Sequence, residues 1–435
     1  MFQKLHLSGS FFVRDRRANV VMMFAFLLIP VLFATGMGVD YASAARKRSK
    51  LNAAADAAAL AAVTPSAMAK SSSTAQAGAQ SMFDSLASLV PGLQGGSLSS
   101  NITVTDNGLT RNVLVTYSAK SLNTFSAIIG ATTLGIGGKA KASAALPPNI
   151  DFYLLLDDSP SMAIAATTAG INTMVANTPS QGGCAFGCHQ SNPKADNLGN
   201  PGGIDNYQLA RNLGVTLRID LLRTAVQNLM TTAQNTQAQT NATYRMAIYT
   251  FDTTNSFNNI ASLTSNFTTA QTLAGNIQLL MVYKNNWLTS TNNNSDTDTD
   301  ISNAMSNING AMPNPGGGTQ AAGDNPQEVL FIVSDGVHDA MVNGKRVQSL
   351  MDTSWCTTVK NRGIRIAVLY TSYLPLPTNS WYNTYIAPFQ SQISPTMQSC
   401  ASPGLFYEVS TNGDISAALS DLFSQAVATA AHLTQ

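Results

Sequence analysis

The sequence predicts an α/β protein in two parts: an apolar N-terminal helix followed by a small α+β segment, then a doubly wound, Rossmann-like domain. Three observations predict it. Between Arg17 and Asp40 no charged residue interrupts the chain. From Ile102 to Tyr117 apolar and polar residues alternate around Asp106-Asn107-Gly108. From Ile150 onward, apolar runs of strand length are separated by helical patterns.

The first observation defines an anchor. About 20 helical residues span the roughly 30 Å of a bilayer core. Pro30 does not veto a span, because membrane helices tolerate a kink. A cleaved signal peptide would show a shorter apolar core and a small-residue cleavage site behind it. Here the helical pattern continues through Asp40 to Val63 without Gly or Pro after Gly38, so a retained helix over 18–63 is expected. No Gly-Glu prepilin signature stands near residue 18. Residues 1–17 form a basic, cytoplasmic N-terminus. Four basic residues precede the span and four follow it, which leaves the positive-inside count tied. A long domain translocates largely regardless of such charges.

Composition supports the same picture. Only 11% of the 435 residues are charged, against about 25% in an average soluble protein. Of 24 basic residues, eight lie in 1–50, beside two of the 23 acids. The remaining 385 residues carry 16 basic and 21 acidic side chains, so a basic end joins a mildly acidic body. A net charge of +1 argues against a nucleic-acid binder. The apolar content of 44% excludes a disordered chain, and Gly has no collagen period.

These N-terminal residues also carry a family resemblance. An apolar helix runs into Gly38-Val39-Asp40-Tyr41, a basic patch from Arg46 to Lys50, and Asn52-Ala53-Ala54-Ala55-Asp56-Ala57-Ala58-Ala59-Leu60. This ordered series resembles the start of TadE/TadG-like Flp pilus-assembly proteins. Residues 64–147 then read as a small linker module. Met82, Phe83, Leu86 and Leu89 suggest one short helix, Ile102 to Tyr117 a β-hairpin, and Leu134 to Ala144 a third strand. A long helix with a small antiparallel sheet is pilin-like by analogy.

Pro147-Pro148 changes the grammar, and one domain is expected over 148–435. The apolar runs are Phe152–Leu156, Met246–Phe251, Val329–Val333, Ile364–Tyr370 and Leu405–Val409, with helical patterns at Leu217–Met230 and Ile415–Ala430. Continuous apolar strands between amphipathic helices indicate a parallel sheet covered on both faces, with ligands at the carboxyl ends of the strands. The first strand ends in Asp157-Asp158-Ser159-Pro160-Ser161, which resembles the Asp-X-Ser-X-Ser loop of the von Willebrand factor A domain. Thr299-Asp300-Ile301 resembles that family's second metal loop, and Ser334-Asp335-Gly336 its third. The resemblance implies a MIDAS-type site for Mg²⁺ or Mn²⁺ held by Asp157, Ser159, Ser161, Thr299 and Asp335, completed by an acidic side chain from a protein partner. Hard oxygen donors suit these ions. The bland alternative is that Asp157 and the serines only cap the next helix. A Gly-Gly often precedes the Thr, whereas Asn294 to Asp298 stand here, so Thr297 is the alternative ligand. An insertion rich in Gly, Asn and Pro occupies about 163–206, before Tyr207 opens a strong helix.

Four cysteines fit two pairs. Cys184 and Cys188 are close enough in sequence to bridge across a turn, and Cys356 and Cys400 precede adjacent strands. An even count and membrane export favour disulfides. Cys184-X-X-X-Cys188-His189 could also be read as haem attachment or as a zinc site. The first has one residue too many and the second lacks a fourth ligand.

The function expected is non-enzymatic: a membrane-anchored envelope protein of Tad/Flp pilus assembly or adhesion. It would sit in a bacterial inner membrane as a single-pass protein, its C-terminal domain periplasmic or extracellular. Its partners would be pilus-assembly or envelope proteins. A general surface adhesin is the alternative. A metal-assisted hydrolase on Asp157, Asp335 and His338 is conceivable, but no Ser-His-Asp arrangement is apparent. The missing Gly-X-X-X-X-Gly-Lys motif excludes a phosphate-loop ATPase. Free thiols would instead favour a cytoplasmic scaffold.

Overall fold

The computed structural model describes residues 16–430 except 197, 254–255, 283–298, 344, 374, 377–379 and 411. Most of the basic N-terminus, and Thr297 with its neighbours, lie outside the described residues. The chain divides into two compact units, Met1–Ala144 and Ala145–Gln435.

In the first unit, helix α1 (Arg16–Ala61) is continuous through Pro30. Its N-terminal half is exposed and apolar, and it is long and apolar enough to cross a membrane. Its C-terminal half buries an alanine-rich face (Ala44, Ala54, Ala55, Ala58, Ala59) with Leu51. Small side chains there let a second helix and a sheet approach closely. That helix, α2 (Ser72–Ser88), is longer than the apolar cluster at its end suggested, because Ser71 caps it from Thr74 N–H. Strands β1 (Ser99–Asn107), β2 (Thr110–Leu122) and β3 (Thr133–Ala145) form an antiparallel sheet in that order. Its alternating inner face (Ile102, Val104, Val113, Val115, Tyr117) packs with Phe83 and α1. The β1–β2 connection is Gly108-Leu109, one residue later than the sequence reading, because Asn107 pairs with Thr110.

Residues of the N-terminal motif tie this unit together. The Asp40 carboxylate accepts from the N–H groups of Thr124 (2.8 Å), Phe125 (3.0 Å) and Ser126 (2.7 Å). Lys47 Nζ donates to Gly92 O and Ser121 Oγ, both at 2.9 Å. Tyr117 donates to Asn52 Oδ1 at 2.6 Å.

The second unit is built on a six-stranded sheet. Its strands are β4 (Ile150–Asp157), β5 (Tyr244–Phe251), β6 (Phe257–Thr264), β7 (Gln327–Ser334), β10 (Arg365–Thr371) and β11 (Phe406–Val409), in spatial order β11-β10-β7-β4-β5-β6. All neighbours are parallel except β5 and β6. The first strand at the centre and a reversal of order beside it define a doubly wound sheet. The antiparallel edge strand β6 had no clear sequence signal: Asn258-Asn259 interrupts its pattern. A hairpin of β8 (Val337–Val342) and β9 (Lys345–Leu350), also not anticipated, follows β7.

Helices cover both faces. One face packs α5 (Arg218–Ala238), α6 (Phe267–Ala274) and α11 (Ile415–Ala430) on Phe152, Leu154 and Leu156. The other packs α7 (Ile301–Ala311), α8 (Ser354–Asn361), a short α9 (Ser380–Tyr385) and α10 (Gln390–Cys400) into the cluster of Tyr153 and Leu155. The insertion holds α3 (Thr168–Asn177) and a short α4 (Asn206–Asn212). The expected single helix from Tyr207 is therefore two, since the chain turns between Leu213 and Leu217.

Candidate functional site

The carboxyl ends of β4 and β7, adjacent at the centre of the sheet, deliver Asp157 and Asp335. Asp157 Oδ1 accepts from Ser159 N–H (3.0 Å) and Oδ2 from the Ser334 hydroxyl (2.6 Å). The Ser159 and Ser161 hydroxyls lie 3.0 Å apart, and Asp335 Oδ1 accepts from Val337 N–H (3.2 Å). Ser159 occupies the cap position of a 3-10 turn, Pro160–Ala163, yet its side chain makes no capping bond. The hydroxyl faces its neighbours instead.

Thr299 is buried and stitched to the same edge by two backbone bonds with Asp339 on β8 (3.0 and 2.8 Å). Asp300 caps α7 through Asn303 N–H, so the threonine stands one residue before the cap.

The electrostatics are unbalanced. Asp157 and Asp335 are fully buried. Burial first, then the neighbouring Asp335, pushes the Asp157 carboxyl above the usual carboxylate range. Burial likewise raises Asp335, against the Ser161 hydroxyl and the charge of Arg218. Asp335 Oδ2 has no hydrogen-bond partner, and neither has Oδ1 of Asp158, the residue after Asp157. Burial and the charge of Asp252 push Asp158 well up.

Sequence reading missed two of these residues. Asp252 follows β5 directly, where a doubly wound sheet puts its ligands, and only that position could have signalled it. Arg218 opens α5, where a cation opposes the helix dipole. Its guanidinium is buried, donates to Ser372 O at 2.6 Å, and faces Asp335. That misplaced charge was the available signal.

The cysteines behave differently from the expectation. Cys356 and Cys400 form a disulfide between α8 and α10. Cys184 and Cys188 do not bridge. Each side of their loop is fastened to a different element: Cys184 N–H to Thr178 Oγ1, Gly187 N–H to Ala163 O, and Cys188 O to Tyr207 N–H. Burial raises the Cys184 thiol, which disfavours the thiolate a metal would need. His189 spends Nδ1 on Asp205 (2.8 Å) and stacks on Tyr207. No cluster of three or more His, Cys, Asp or Glu side chains able to hold a metal occurs among the described residues. Among the described residues, a cation site would therefore depend on hydroxyls. His338 lies on β8 with a buried, unpartnered Nδ1, and its charge interaction runs to Asp352.

The sequence profile of the Flp pilus-assembly TadE/G-like family (Tad) matches residues 19–79. The N-terminal segment is TadE/G-like. It comprises α1 and the first part of α2, and it includes Asp40, Lys47 and Asn52. No curated protein sequence matches the chain. Among solved structures, the chain is similar to the pilus adhesin SpaC from Lactobacillus rhamnosus GG, at 11% identity and a TM-score of 0.34, covering 77% of this chain and 34% of that one. It is similar to the conserved hypothetical protein BatB from Bacteroides thetaiotaomicron, at 12% identity and 0.33, covering 64% and 98%. It is also similar to the vWF domain of the type V pili tip protein Mfa5 from Porphyromonas gingivalis, at 8% identity and 0.35, covering 65% and 97%. The chain thus spans about a third of SpaC's length. Behind the TadE/G-like segment, the second unit has the von Willebrand A plan of a central first strand, a 3-2-1-4-5-6 order and an antiparallel third strand.

Proposed function

We propose that the chain is a membrane-anchored envelope protein of Tad/Flp pilus assembly or adhesion. Its C-terminal domain would recognise protein partners through a divalent cation at the β4–β7 edge. One observation carries the reading: the buried Asp335 carboxylate keeps an unpartnered oxygen while Asp157 and Ser161 close around it. Two buried carboxylates side by side require a counter-charge.

The donor set fits Mg²⁺ or Mn²⁺. Ser159, Ser161 and Thr299 would hold the ion by their hydroxyls, and Asp157 and Asp335 directly or through water. When bound, the ion supplies a Lewis-acid position for an acidic side chain of a partner. The chain's own residues supply the orientation. Ser334 fixes one Asp157 oxygen and Ser159 N–H the other, while Arg218 offsets one of the two negative charges. A second-layer role of this kind aims the direct ligands.

The TadE/G-like match and the apolar α1 support anchoring in an inner membrane. The Cys356–Cys400 bridge supports an oxidising, periplasmic or extracellular side for the domain. A hydrolase using His338 has less support, since that imidazole makes no hydrogen bond to Asp335 or Asp157.

Calorimetric titration of the micelle-solubilised full chain with Mg²⁺ and Mn²⁺ tests the reading, beside Asp157→Ala and Thr299→Ala. Weak to moderate binding, lost in both variants, is expected. Absence of binding to the wild type, even with free acetate present as an acidic ligand, would sink it. Loss of surface piliation on deletion would separate a pilus role from general adhesion.

A further inference from the structure

The β2–β3 connection carries an apolar tip. Its 3-10 turn, Ser126–Ile129, is preceded by Phe125, and Phe125 through Ala131 contains no charge. Phe125 is 42% exposed, Ile128 73% and Ile129 58%. Water does not reward such a turn.

Its position is fixed by α1. The three N–H bonds to Asp40 hold the turn at the point where the apolar stretch ends. Phe125 lies against Gly36, where an added Cβ would come within 2.6 Å of the Phe125 Cβ. Gly36 is four residues, or about 6 Å, inside the apolar stretch from Asp40. Ile128 and Phe125 meet Ile29, Leu32 and Phe33 around an apolar cleft of about 530 Å³.

The backbone is prepared for a medium without water. Thr124, Phe125 and Ser126 donate to Asp40. The N–H groups of Ile128, Gly130, Ala131 and Thr132 bond to carbonyls within the turn, aided by the left-handed Gly130. An unsatisfied N–H in hydrocarbon costs several kcal/mol, so internal pairing is what a lipid-facing turn requires. Just past Asp40, Tyr41 is exposed, and Arg46, Arg48 and Lys50 follow within about 15 Å along the helix. Aromatic and basic side chains in that order suit an interface with headgroups.

We propose that Phe125–Gly130 is a second membrane contact, a wedge that enters the leaflet beside α1 and meets acyl chains with Phe125, Ile128 and Ile129. The occupant of the cleft is lipid, because the cleft is continuous with the lipid-facing surface of α1. The proposal rests on the reading that α1 spans the membrane. Its function is to fix the tilt and rotation of the small α+β unit, which a single helix leaves free.

The test is spin-label accessibility in the full chain, reconstituted in phosphatidylcholine–phosphatidylglycerol vesicles. Cys184→Ser and Cys188→Ser clear the background, and Ile129→Cys, Phe26→Cys and Lys141→Cys are labelled one at a time. The ratio of oxygen to nickel-chelate accessibility at Ile129 should match that at Phe26 and exceed that at Lys141 several-fold. A ratio at Ile129 like that at Lys141, with Phe26 in lipid, overturns the wedge and leaves the spanning helix. Shielding of Ile129 from both reagents overturns it in favour of a protein in the cleft. A water-like ratio at Phe26 overturns the spanning helix itself.

Discussion

The first unit satisfies the charges it buries, whereas the second leaves some of its buried acids short of partners. In the first unit, Asp40 is filled by three backbone N–H groups. Arg111, fully buried, is filled by both oxygens of Asp106 and by the carbonyls of Ala67 and Lys70. In the second unit, Asp335 and Asp158 each keep a buried oxygen with no partner. A satisfied buried charge rigidifies a fold, whereas an unsatisfied one is costly and calls for an explanation. The motif residues of the TadE/G-like segment are therefore structural, whereas the acids at the carboxyl end of β4 and β7 are where buried charge is left short of partners.

The sharpest way to break this comparison is to remove one acid of each kind. Asp40→Ala takes the acceptor from three N–H groups and should destabilise the first unit markedly. Denaturant unfolding in micelles measures it, and amide exchange should quicken first at Thr124, Phe125 and Ser126. Asp335→Ala removes a charge that lacks a full set of partners, so the metal-free second unit should lose far less. Equal losses would erase the distinction.

The next effect runs the other way. At about 100 times its dissociation constant, Mg²⁺ should stabilise the wild-type second unit by about 2.7 kcal/mol. Asp335→Ala should abolish that gain, while Asp40→Ala should leave it intact. Thermal melts with and without the ion read both. A gain that survives Asp335→Ala would put the ion elsewhere.

How much of this was legible follows the distance over which each residue acts. The strands β4, β5, β7, β10 and β11 announced themselves as apolar runs, and Asp157, Ser159, Ser161 and Asp335 were singled out by their resemblance to the von Willebrand A loops, at strand ends where the structure places them. Those signals are local. Asp40 could be read as part of a motif but not as a clamp, since its partners lie 84 to 86 residues downstream. The edge strand β6 borrows its register from β5, with irregularities, and carries little pattern of its own. Cys184 and Cys188 looked bridgeable because spacing says nothing of Ala163, Thr178 and Tyr207, which hold their loop open.

Glu328 gives the finest test of the comparison. It too is a buried acid with both carboxyl oxygens unpartnered, but it lies at the opposite end of β7 from Asp335. Burial pushes its carboxyl up to about 8, helped by Asp151 and opposed by Arg245 and Arg362. Its register neighbour Asp151 has taken Arg245 as its own partner. Below about pH 4.5 the folded and unfolded chains both hold the proton, and Glu328 is neutral in stability. As pH rises from there toward 8, only the folded state keeps it, so stability falls. From pH 6 to 7 the wild type should lose on the order of 1 kcal/mol that Glu328→Gln retains. The same variant should leave the Mg²⁺ response unchanged, because Glu328 lies at the far end of β7 from Asp335 and the serines. A lost Mg²⁺ response in Glu328→Gln would mean that an unpartnered buried acid is enough to hold the ion, and that the serines and the threonine do not mark the site.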